Sequence, residues 1–139
     1  MTRTNWKQWQ SHFQRPVLEE YPRLDVRALH EAGLLTETHV IGWSDGSTSR
    51  LVPSDDGIDI LHWPVHTEFL TKAHADLEWT PCHFGGKRVW FRCPDCSKRV
   101  AILHAFPRYS CRTCHRLAYA SSNRAADYQP EPVVPLLVI

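Results

Sequence analysis

Apolar positions spaced three and four residues apart predict two short helices near the start of the chain. Trp6, Trp9 and Phe13 recur at i, i+3 and i+7, which places them on one face of a helix that a following proline ends. A second helix is expected to begin with Asp25 as its N-cap, because an aspartate side chain accepts hydrogen bonds from free helical amides. Gly33 supplies a typical C-terminal stop. We expect both helices to serve as packing elements.

After the second helix the pattern changes to short β-forming runs separated by turn residues. Residues 38–43 and 48–52 are rich in β-formers and flank the turn sequence SDGS at 44–47, which predicts a hairpin. A second turn at 55–57 and an extended segment near 69–79 complete the expected antiparallel meander. Together with the helices, these strands predict an α+β fold that ends in a cysteine-rich module.

The last residues form a separate segment. Prolines at 130 and 132 predict a linker without regular structure, and 133–139 is apolar with one interrupting proline. This tail is expected to add an edge strand or fill a groove in its own domain, or else to dock on a partner, because an exposed apolar heptamer favours aggregation.

Charge is distributed unevenly along the chain. The net charge is only +1, yet residues 1–81 hold seven Lys and Arg against twelve Asp and Glu, whereas residues 82–124 hold nine against one. A basic segment with a net of +8 thus follows an acidic one with a net of −5, and residues 125–139 contribute −2. The predicted divisions are an acidic α+β part at 1–81, a basic zinc ribbon at 82–124 and a proline-rich apolar tail at 125–139.

Two closely spaced cysteine pairs carry the clearest chemical signal. Cys93 and Cys96 form one CxxC pair, and Cys111 and Cys114 form a second after a gap of fourteen residues. Each pair can form a tight knuckle that presents two thiolates to one tetrahedral ion, at about 2.3 Å for zinc. Four thiolates leave no open coordination position, so the predicted Zn²⁺ is structural rather than catalytic. Two disulfides or a redox pair are the alternatives.

The flanking residues predict the local fold of the zinc ribbon. β-Forming runs at 89–91 and 99–103 flank the first pair, which places it at the tip of a hairpin. A turn near Phe106 and Pro107 then leads to the second pair. After this pair, residues 115–126 are expected to form a short helix or irregular coil.

Three further residues near the pairs have a metal-binding or nucleophilic side chain. The fifth cysteine, Cys82, is interpreted as a small buried thiol at a strand end, and the alternatives are a fifth ligand or a nucleophile beside His83. His104 and His115 are alternative ligands in case one cysteine points away from the metal.

One stretch of the chain resembles a known family. The sequences TPCHFGGKRVWFRCP at 80–94 and CRTCHRLAY at 111–119 resemble uncharacterised zinc-ribbon proteins of bacterial genomes and mobile elements. The likeness extends more loosely to 24–35. Members of that family continue into a longer basic helix, whereas this chain passes quickly into its proline-rich end. The resemblance implies a zinc site, and the family has no established activity to carry over.

Two kinds of partner are compatible with the basic ribbon. Its cations can neutralise phosphates and its interleaved aromatic side chains can stack on bases, so a nucleic acid or a nucleoprotein complex is one expected partner. Some cations are instead expected to balance the negative charge of four metal-bound thiolates. The alternative is a mobile-element-encoded inhibitor, of anti-CRISPR or anti-polymerase type, that binds a host complex through protein–protein contacts. The selected contact residues are Arg88, Arg92, Lys98, Arg99, Arg108 and Arg112.

Catalysis and membrane association are not expected. His62, His66 and His74 lie near several carboxylates, but their spacing is not that of a known reaction, and no small-molecule substrate is predicted. No apolar run approaches the roughly 20 residues that span a bilayer, and the first ten residues lack the apolar core of a secretion signal. We therefore expect a cytoplasmic protein, in which reduced cysteines favour metal binding over disulfides.

Overall fold

Strands dominate the computed structural model, which describes residues 17–65, 67–119 and 131–139. Of these residues 47% lie in strands and 12% in helices, so the expected α+β class is wrong and the described chain is mostly β. The reason is that the expected meander does not stop before the cysteine-rich module. Its last strand pairs with the first strand of that module, and the helices between the strands are short. The helix predicted from Trp6, Trp9 and Phe13 lies outside the described residues.

Ten strands and two α-helices make up the described part of the chain. The helices are α1 (Val26–Glu31) and α2 (Arg112–His115), and a single 3-10 turn covers Leu18–Glu20. The strands are β1 (Arg23–Asp25), β2 (His39–Trp43), β3 (Thr48–Pro53), β4 (Gly57–Trp63), β5 (Thr71–Pro81), β6 (Lys87–Arg92), β7 (Arg99–Val100), β8 (Ile102–Ala105), β9 (Tyr109–Ser110) and β10 (Pro135–Val138).

These strands form two antiparallel sheets. The larger has seven strands in the order β10-β2-β3-β4-β5-β6-β7, so that β2 to β7 follow one another along the chain as a continuous meander. The smaller has the order β1-β8-β9 and joins a strand near the start of the described chain to two strands of the cysteine-rich part. Within each sheet the strands that are neighbours in sequence are mostly neighbours in space, which favours short connections.

Local sequence signals account well for the first elements. Asp25 caps α1 as predicted, since its carboxylate accepts a hydrogen bond of 3.0 Å from the amide of Arg27. Gly33 follows the helix with a φ of 73°, a left-handed conformation that glycine adopts without steric cost. The β2–β3 hairpin is also confirmed, and its turn is held by an Asp45 side chain that accepts from the amide of Ser47.

One hydrophobic core is shared by both sheets and by α1. Phe91 of β6, Leu51 of β3 and Ile58 of β4 come from the large sheet, while Leu103 of β8 comes from the small one, and all four side chains are fully buried. Val26 adds the inner face of α1. The boundary predicted between residues 81 and 82 falls in the β5–β6 turn, so segments on both sides of it contribute strands to the same sheet.

The C-terminal tail forms the edge of the large sheet. β10 pairs antiparallel with β2, and the ends are tied by hydrogen bonds in both directions between Ile139 and Val40, at 2.9 and 3.0 Å. All four side chains of β10 remain exposed, so the strand is held mainly by its backbone. Of the predicted linker, only residues 131 and 132 are described, and they have no regular structure. Within the described residues, no helix has the length and apolar character needed to cross a bilayer.

Gly57 is the position where the large sheet tolerates a side chain least. A Cβ added to Gly57 would overlap the carbonyl oxygen of Ala75 and lie 2.7 Å from the Cα of Asp76, both of which are backbone atoms of β5. Gly42, which is also in a strand, offers a matched comparison, because its Cβ would come no closer than 3.8 Å to Leu137.

We expect Gly57→Ala to lower the free energy of unfolding by about 1–3 kcal/mol, because β4 and β5 must move apart. Gly42→Ala should change it by less than about 1 kcal/mol in either direction, since the added methyl group has room. Chemical denaturation of the two variants and the parent measures both effects. Equal stability of the two variants would contradict the packing described for β4 and β5.

Candidate metal centre

Four cysteine sulfurs converge between the two sheets. The Sγ atoms of Cys93, Cys96, Cys111 and Cys114 all lie within 4.8 Å of one another. The Cys93–Cys114 and Cys96–Cys111 distances are 3.9 and 3.7 Å, whereas a regular tetrahedron of metal–sulfur bonds near 2.3 Å has edges of about 3.8 Å. A disulfide would require about 2.05 Å, and none of the five cysteines is bonded to another. The four cysteines form a site that can hold one metal ion.

The first knuckle closes the β6–β7 hairpin. Cys93 directly follows β6, its amide donates to the carbonyl of Lys98 at 2.9 Å, and its own carbonyl accepts from the amide of Ser97 at 2.9 Å. Ser97 has a φ of 61°, so the chain reverses through a left-handed residue just after Cys96. This reversal brings both sulfurs of the pair to the same side of the turn.

The second knuckle is the start of α2. Cys111 follows β9 as the N-cap of α2, and its sulfur accepts a hydrogen bond from the amide of Cys114 at 3.4 Å. The helix ends after one turn at Arg116, which has a φ of 54°. Because Cys111 and Cys114 are three positions apart, close to one helical turn, both lie on the side of α2 that faces the first knuckle.

The sulfur of Cys93 is surrounded by hydrogen-bond donors. It lies 3.2 Å from the hydroxyl of Ser110 and 3.3 Å from the amide of Cys111, and the amides of Asp95 and Cys96 also point at it. Burial raises the pKa of the Cys93 thiol, but these hydrogen bonds outweigh burial and lower it to about 6. The donors therefore favour a thiolate, the form that binds metal.

Each knuckle belongs to a different sheet. Cys93 and Cys96 extend the β6–β7 hairpin of the seven-stranded sheet, whereas Cys111 and Cys114 follow β9 of the three-stranded sheet. Between them the chain makes the predicted turn at Phe106 and Pro107. A metal held by all four sulfurs would thus cross-link the two sheets at one end of their shared core.

The other predicted ligands lie outside the group. His104 is buried in β8, and His115 uses its Nε2 to donate to the carbonyls of Arg108 and His104, at 2.7 and 3.0 Å. Cys82 follows β5 as expected but is exposed, so the prediction of a buried thiol is wrong. The reason is that the chain leaves the sheet at this point, in a surface turn closed by a 3.0 Å hydrogen bond from the amide of Cys82 to Gly86.

Three of the six selected cations are ion-paired. Arg92 and Arg99 both contact Glu78 of β5, at 2.6 and 3.0 Å, and their charges hold the pKa of this carboxyl below its usual range, with Arg99 the stronger influence. Arg108 contacts Asp95 of the first knuckle at 2.9 Å. The sequence did not identify Glu78 as a partner, because it lies 21 residues before Arg99 and is brought close only by the pairing of β5 with β6 and of β6 with β7.

The remaining three cations have no carboxylate partner among the described residues. The guanidinium of Arg88 lies 3.7 Å from the centre of the Trp90 ring, and Arg112 donates to the carbonyl of Leu117 at 3.3 Å. Lys98 is exposed in the first knuckle. The six cations therefore do not form one uniform patch: Arg88, Arg92 and Arg99 share a sheet face, whereas Arg108 and Arg112 lie near the second knuckle.

A second cluster of metal-type side chains lies on the surface of β4 and β5. Nδ1 of His74 is hydrogen-bonded to the carboxylate of Asp59 at 2.7 Å, and Nε2 is hydrogen-bonded to that of Asp76 at 2.9 Å. Asp56 lies 3.3 Å from Nε2. The hydrogen bond that the His74 ring donates to the Asp59 carboxylate is the main reason that the pKa of His74 is raised. Both ring nitrogens are therefore hydrogen-bonded to carboxylates when the ring is protonated.

Comparison with protein-family models, with curated proteins and with solved structures gives no match to this chain. The resemblance to mobile-element zinc-ribbon proteins stays a prediction.

Replacing one cysteine of the group tests whether all four hold a metal. We expect Cys96→Ser to lose most of the bound metal and to lower the free energy of unfolding by at least about 3 kcal/mol, because the sheets lose their cross-link. Elemental analysis and thermal unfolding measure the two effects.

Cys82→Ser is the matched control, since Cys82 is exposed and lies outside the group. It should keep the metal content and stability of the parent. If Cys96→Ser retained full metal content and stability, or if Cys82→Ser lost metal equally, the assignment of the four ligands would be wrong.

Proposed function

We propose that this chain is a non-enzymatic zinc-ribbon protein that contacts nucleic acid through a basic sheet face next to the ribbon. The observation that carries the proposal is the arrangement of Arg88, Trp90, Arg92 and Arg99 on one side of β6 and β7. We call this group, with Lys98 beside it, the basic face. Neither a membrane nor a small-molecule substrate enters the proposal.

Zinc is the metal that the donor set favours. Four thiolates arranged as a tetrahedron are typical of zinc or of iron–sulfur chemistry, and two CxxC knuckles that leave no open position are typical of structural zinc. Such a closed site stabilises a fold and does not activate water, which agrees with a binding protein. The proposed role of Zn²⁺ is to hold the β6–β7 hairpin in place against the small sheet.

Strand periodicity creates the basic face. In β6 the side chains of Val89 and Phe91 are buried in the core, so Arg88, Trp90 and Arg92 point to the opposite side. Arg99 lies directly across from Arg92 in the register of β6 and β7 and therefore joins the same side. Adjacent strands thus gather cations that are distant in the sequence.

The basic face keeps an excess of positive charge after its internal ion pairs are counted. Glu78 contacts both Arg92 and Arg99 and can neutralise only one of their two charges. One positive charge of this pair and the charge of Arg88 therefore have no neutralising carboxylate among the described residues. Lys98 is exposed in the adjoining knuckle. A few clustered cations next to an aromatic side chain are the usual composition of a surface that follows a phosphate backbone.

Trp90 and Arg88 give this surface a way to contact bases. The guanidinium of Arg88 lies 3.7 Å over the Trp90 ring, and the ring nitrogen donates to Thr80 at 2.8 Å, which fixes its orientation. Arginine and aromatic side chains can both stack on unstacked bases. Single-stranded DNA or RNA therefore fits the face better than a closed duplex.

The double substitution Arg88→Gln with Lys98→Gln tests the basic face and leaves the Glu78 ion pairs intact. We expect weaker binding to labelled single-stranded oligonucleotides and a smaller dependence of affinity on salt, by roughly one to two units of the log–log slope, because fewer counterions are released. Fluorescence anisotropy over a series of salt concentrations measures both quantities.

Arg50→Gln serves as the control. Arg50 is an exposed cation on β3, and β4 and β5 separate that strand from β6. The control should bind like the parent. Equal affinity and equal salt dependence in all three proteins would count against nucleic-acid contact through the basic face.

A protein partner is the second candidate, and the inhibitor that the family resemblance implies is one form of it. Exposed apolar side chains favour it: Phe84 is 98% exposed in the β5–β6 turn, and Leu136 and Ile139 are exposed at the edge strand. Recovery of the tagged protein from its native host, with and without nuclease, separates the two candidates. Protein partners that survive digestion would select the second.

A further inference from the structure

A cavity of about 360 Å³ shares no residue with the four-cysteine group or with the basic face. Its walls are formed largely by rings, those of Tyr21, Pro22, Phe106 and Pro107, and the rings of Tyr21 and Phe106 meet edge to face at 4.7 Å. The volume is within the range of small-molecule sites. Aromatic side chains in such a lining can pack against the face or the edge of a ligand ring.

His62 gives the cavity a buried polar group. The residue is only 3% exposed, yet it lines the cavity, and its Nδ1 lies 2.8 Å from the hydroxyl of Ser49. No hydrogen bond to Nε2 exists within the described part of the chain. An imidazole that lines a cavity and has one nitrogen without a protein partner among the described residues is a group that a ligand can contact.

The hydrogen bonds around Ser49 determine which nitrogen of His62 carries the proton. Trp43 donates its ring N–H to the Ser49 hydroxyl oxygen at 2.9 Å. The Tyr109 hydroxyl, for which Ser49 is the only acceptor in the described part of the chain, donates to the same oxygen at 2.8 Å. These two bonds use both lone pairs of the oxygen, so its single proton is donated to Nδ1 of His62. The neutral ring therefore carries its hydrogen on Nε2. Burial lowers the pKa of His62, which keeps the ring neutral.

Asp45 gives the cavity an acceptor at its exposed side. One carboxylate oxygen, Oδ1, accepts from the amide and hydroxyl of Ser47, whereas Oδ2 has no hydrogen-bond partner among the described residues. No lysine or arginine is among the described residues that line the cavity. Anions such as phosphate are therefore disfavoured, and a neutral ligand with an N–H group is favoured.

We propose that this cavity binds a neutral heteroaromatic ring of nucleobase type. Such a ring presents an acceptor atom to the Nε2 hydrogen of His62 and an N–H donor to the carboxylate of Asp45, while its faces contact the surrounding rings. Nucleobases carry acceptors and N–H donors side by side on one edge. The proposal goes beyond contact with the phosphate backbone, because a free nucleoside has no phosphate for the basic face.

The test is titration of the ¹⁵N-labelled, metal-loaded full chain with adenosine, cytidine, guanosine or uridine, each followed by NMR. At least one nucleoside should shift the amide signals of Asp45, Ser47 and Phe106 in a saturable way. Ribose lacks the ring, and benzyl alcohol lacks the acceptor–donor edge, so both should bind at least about tenfold more weakly.

Asp45→Asn is the decisive variant, because it replaces Oδ2 by a donor and keeps the Oδ1 that accepts from Ser47. This choice avoids substituting His62, whose loss would leave Ser49 without an acceptor in the core. We expect at least about a tenfold loss of affinity, since one hydrogen-bond pair to a base is replaced by two facing donors. Asp55→Asn, at an exposed carboxylate in the turn before β4 that does not line the cavity, should bind like the parent.

Three results would overturn the proposal. The first is the absence of saturable shifts at the cavity with all four nucleosides. The second is binding of benzyl alcohol as tight as that of the nucleosides, which would make the cavity a plain apolar pocket. The third is equal affinity in Asp45→Asn and Asp55→Asn. None of them bears on oligonucleotide binding by the basic face, which is measured separately.

Discussion

The convergence of four cysteine sulfurs is the constraint on which the rest of the structure depends. Two knuckles that are distant in the sequence present their sulfurs within 4.8 Å of one another, although like-charged thiolates repel at that distance. A cation between them removes the repulsion and turns the cluster into a cross-link. Cys93, with several donors on its sulfur, is already arranged as a thiolate, so the protein contributes part of the organisation itself.

A metal cross-link at this site would explain how strands as short as β8 and β9 form a stable sheet. β9 has two residues and β8 has four, and strands of this length have few hydrogen bonds to hold them. They are stabilised by Leu103 and Tyr109 in the shared core and by the second knuckle, which follows β9 at once. Because the first knuckle closes the β6–β7 hairpin, the same ion would also fix the hairpin that presents Trp90 and its neighbouring arginines. A bound metal would thus help to fix the position of the surface that we propose for nucleic acid.

Local signals in the sequence were sufficient for the elements that depend on local chemistry. The cap at Asp25, the turn after Trp43 and the two CxxC pairs are each encoded within a few residues, and each is found where it was predicted. The fold class was wrong because the helices are short and the meander continues through the pairing of β5 with β6 into the cysteine-rich part. The shift from acidic to basic composition near residue 82 falls between two paired strands, because charge lies on the surface and does not report backbone pairing. The β5–β6 pairing depends on which faces are buried, with Phe91 opposite Leu77.

The same limitation applies to the candidate binding residues. Composition identified nine cations after residue 81, but only the register shows that Glu78 neutralises part of the group and that Arg108 is paired with Asp95. The cavity beside His62 had no signal in the sequence at all, since Tyr21, Asp45, His62 and Phe106 come from four separate segments. Such residues line one cavity only because long-range contacts bring their segments together. His62 lies in a buried hydrogen-bond network with Ser49, and burial lowers its pKa.

The most direct measurement of the central claim is X-ray absorption spectroscopy of the purified, untreated protein at the zinc K-edge. We predict a clear zinc signal whose first coordination shell contains four sulfur scatterers at about 2.3 Å and no oxygen or nitrogen. A shell with fewer sulfurs, a mixture of sulfur with lighter atoms, or a protein that is folded and contains no zinc would contradict the account.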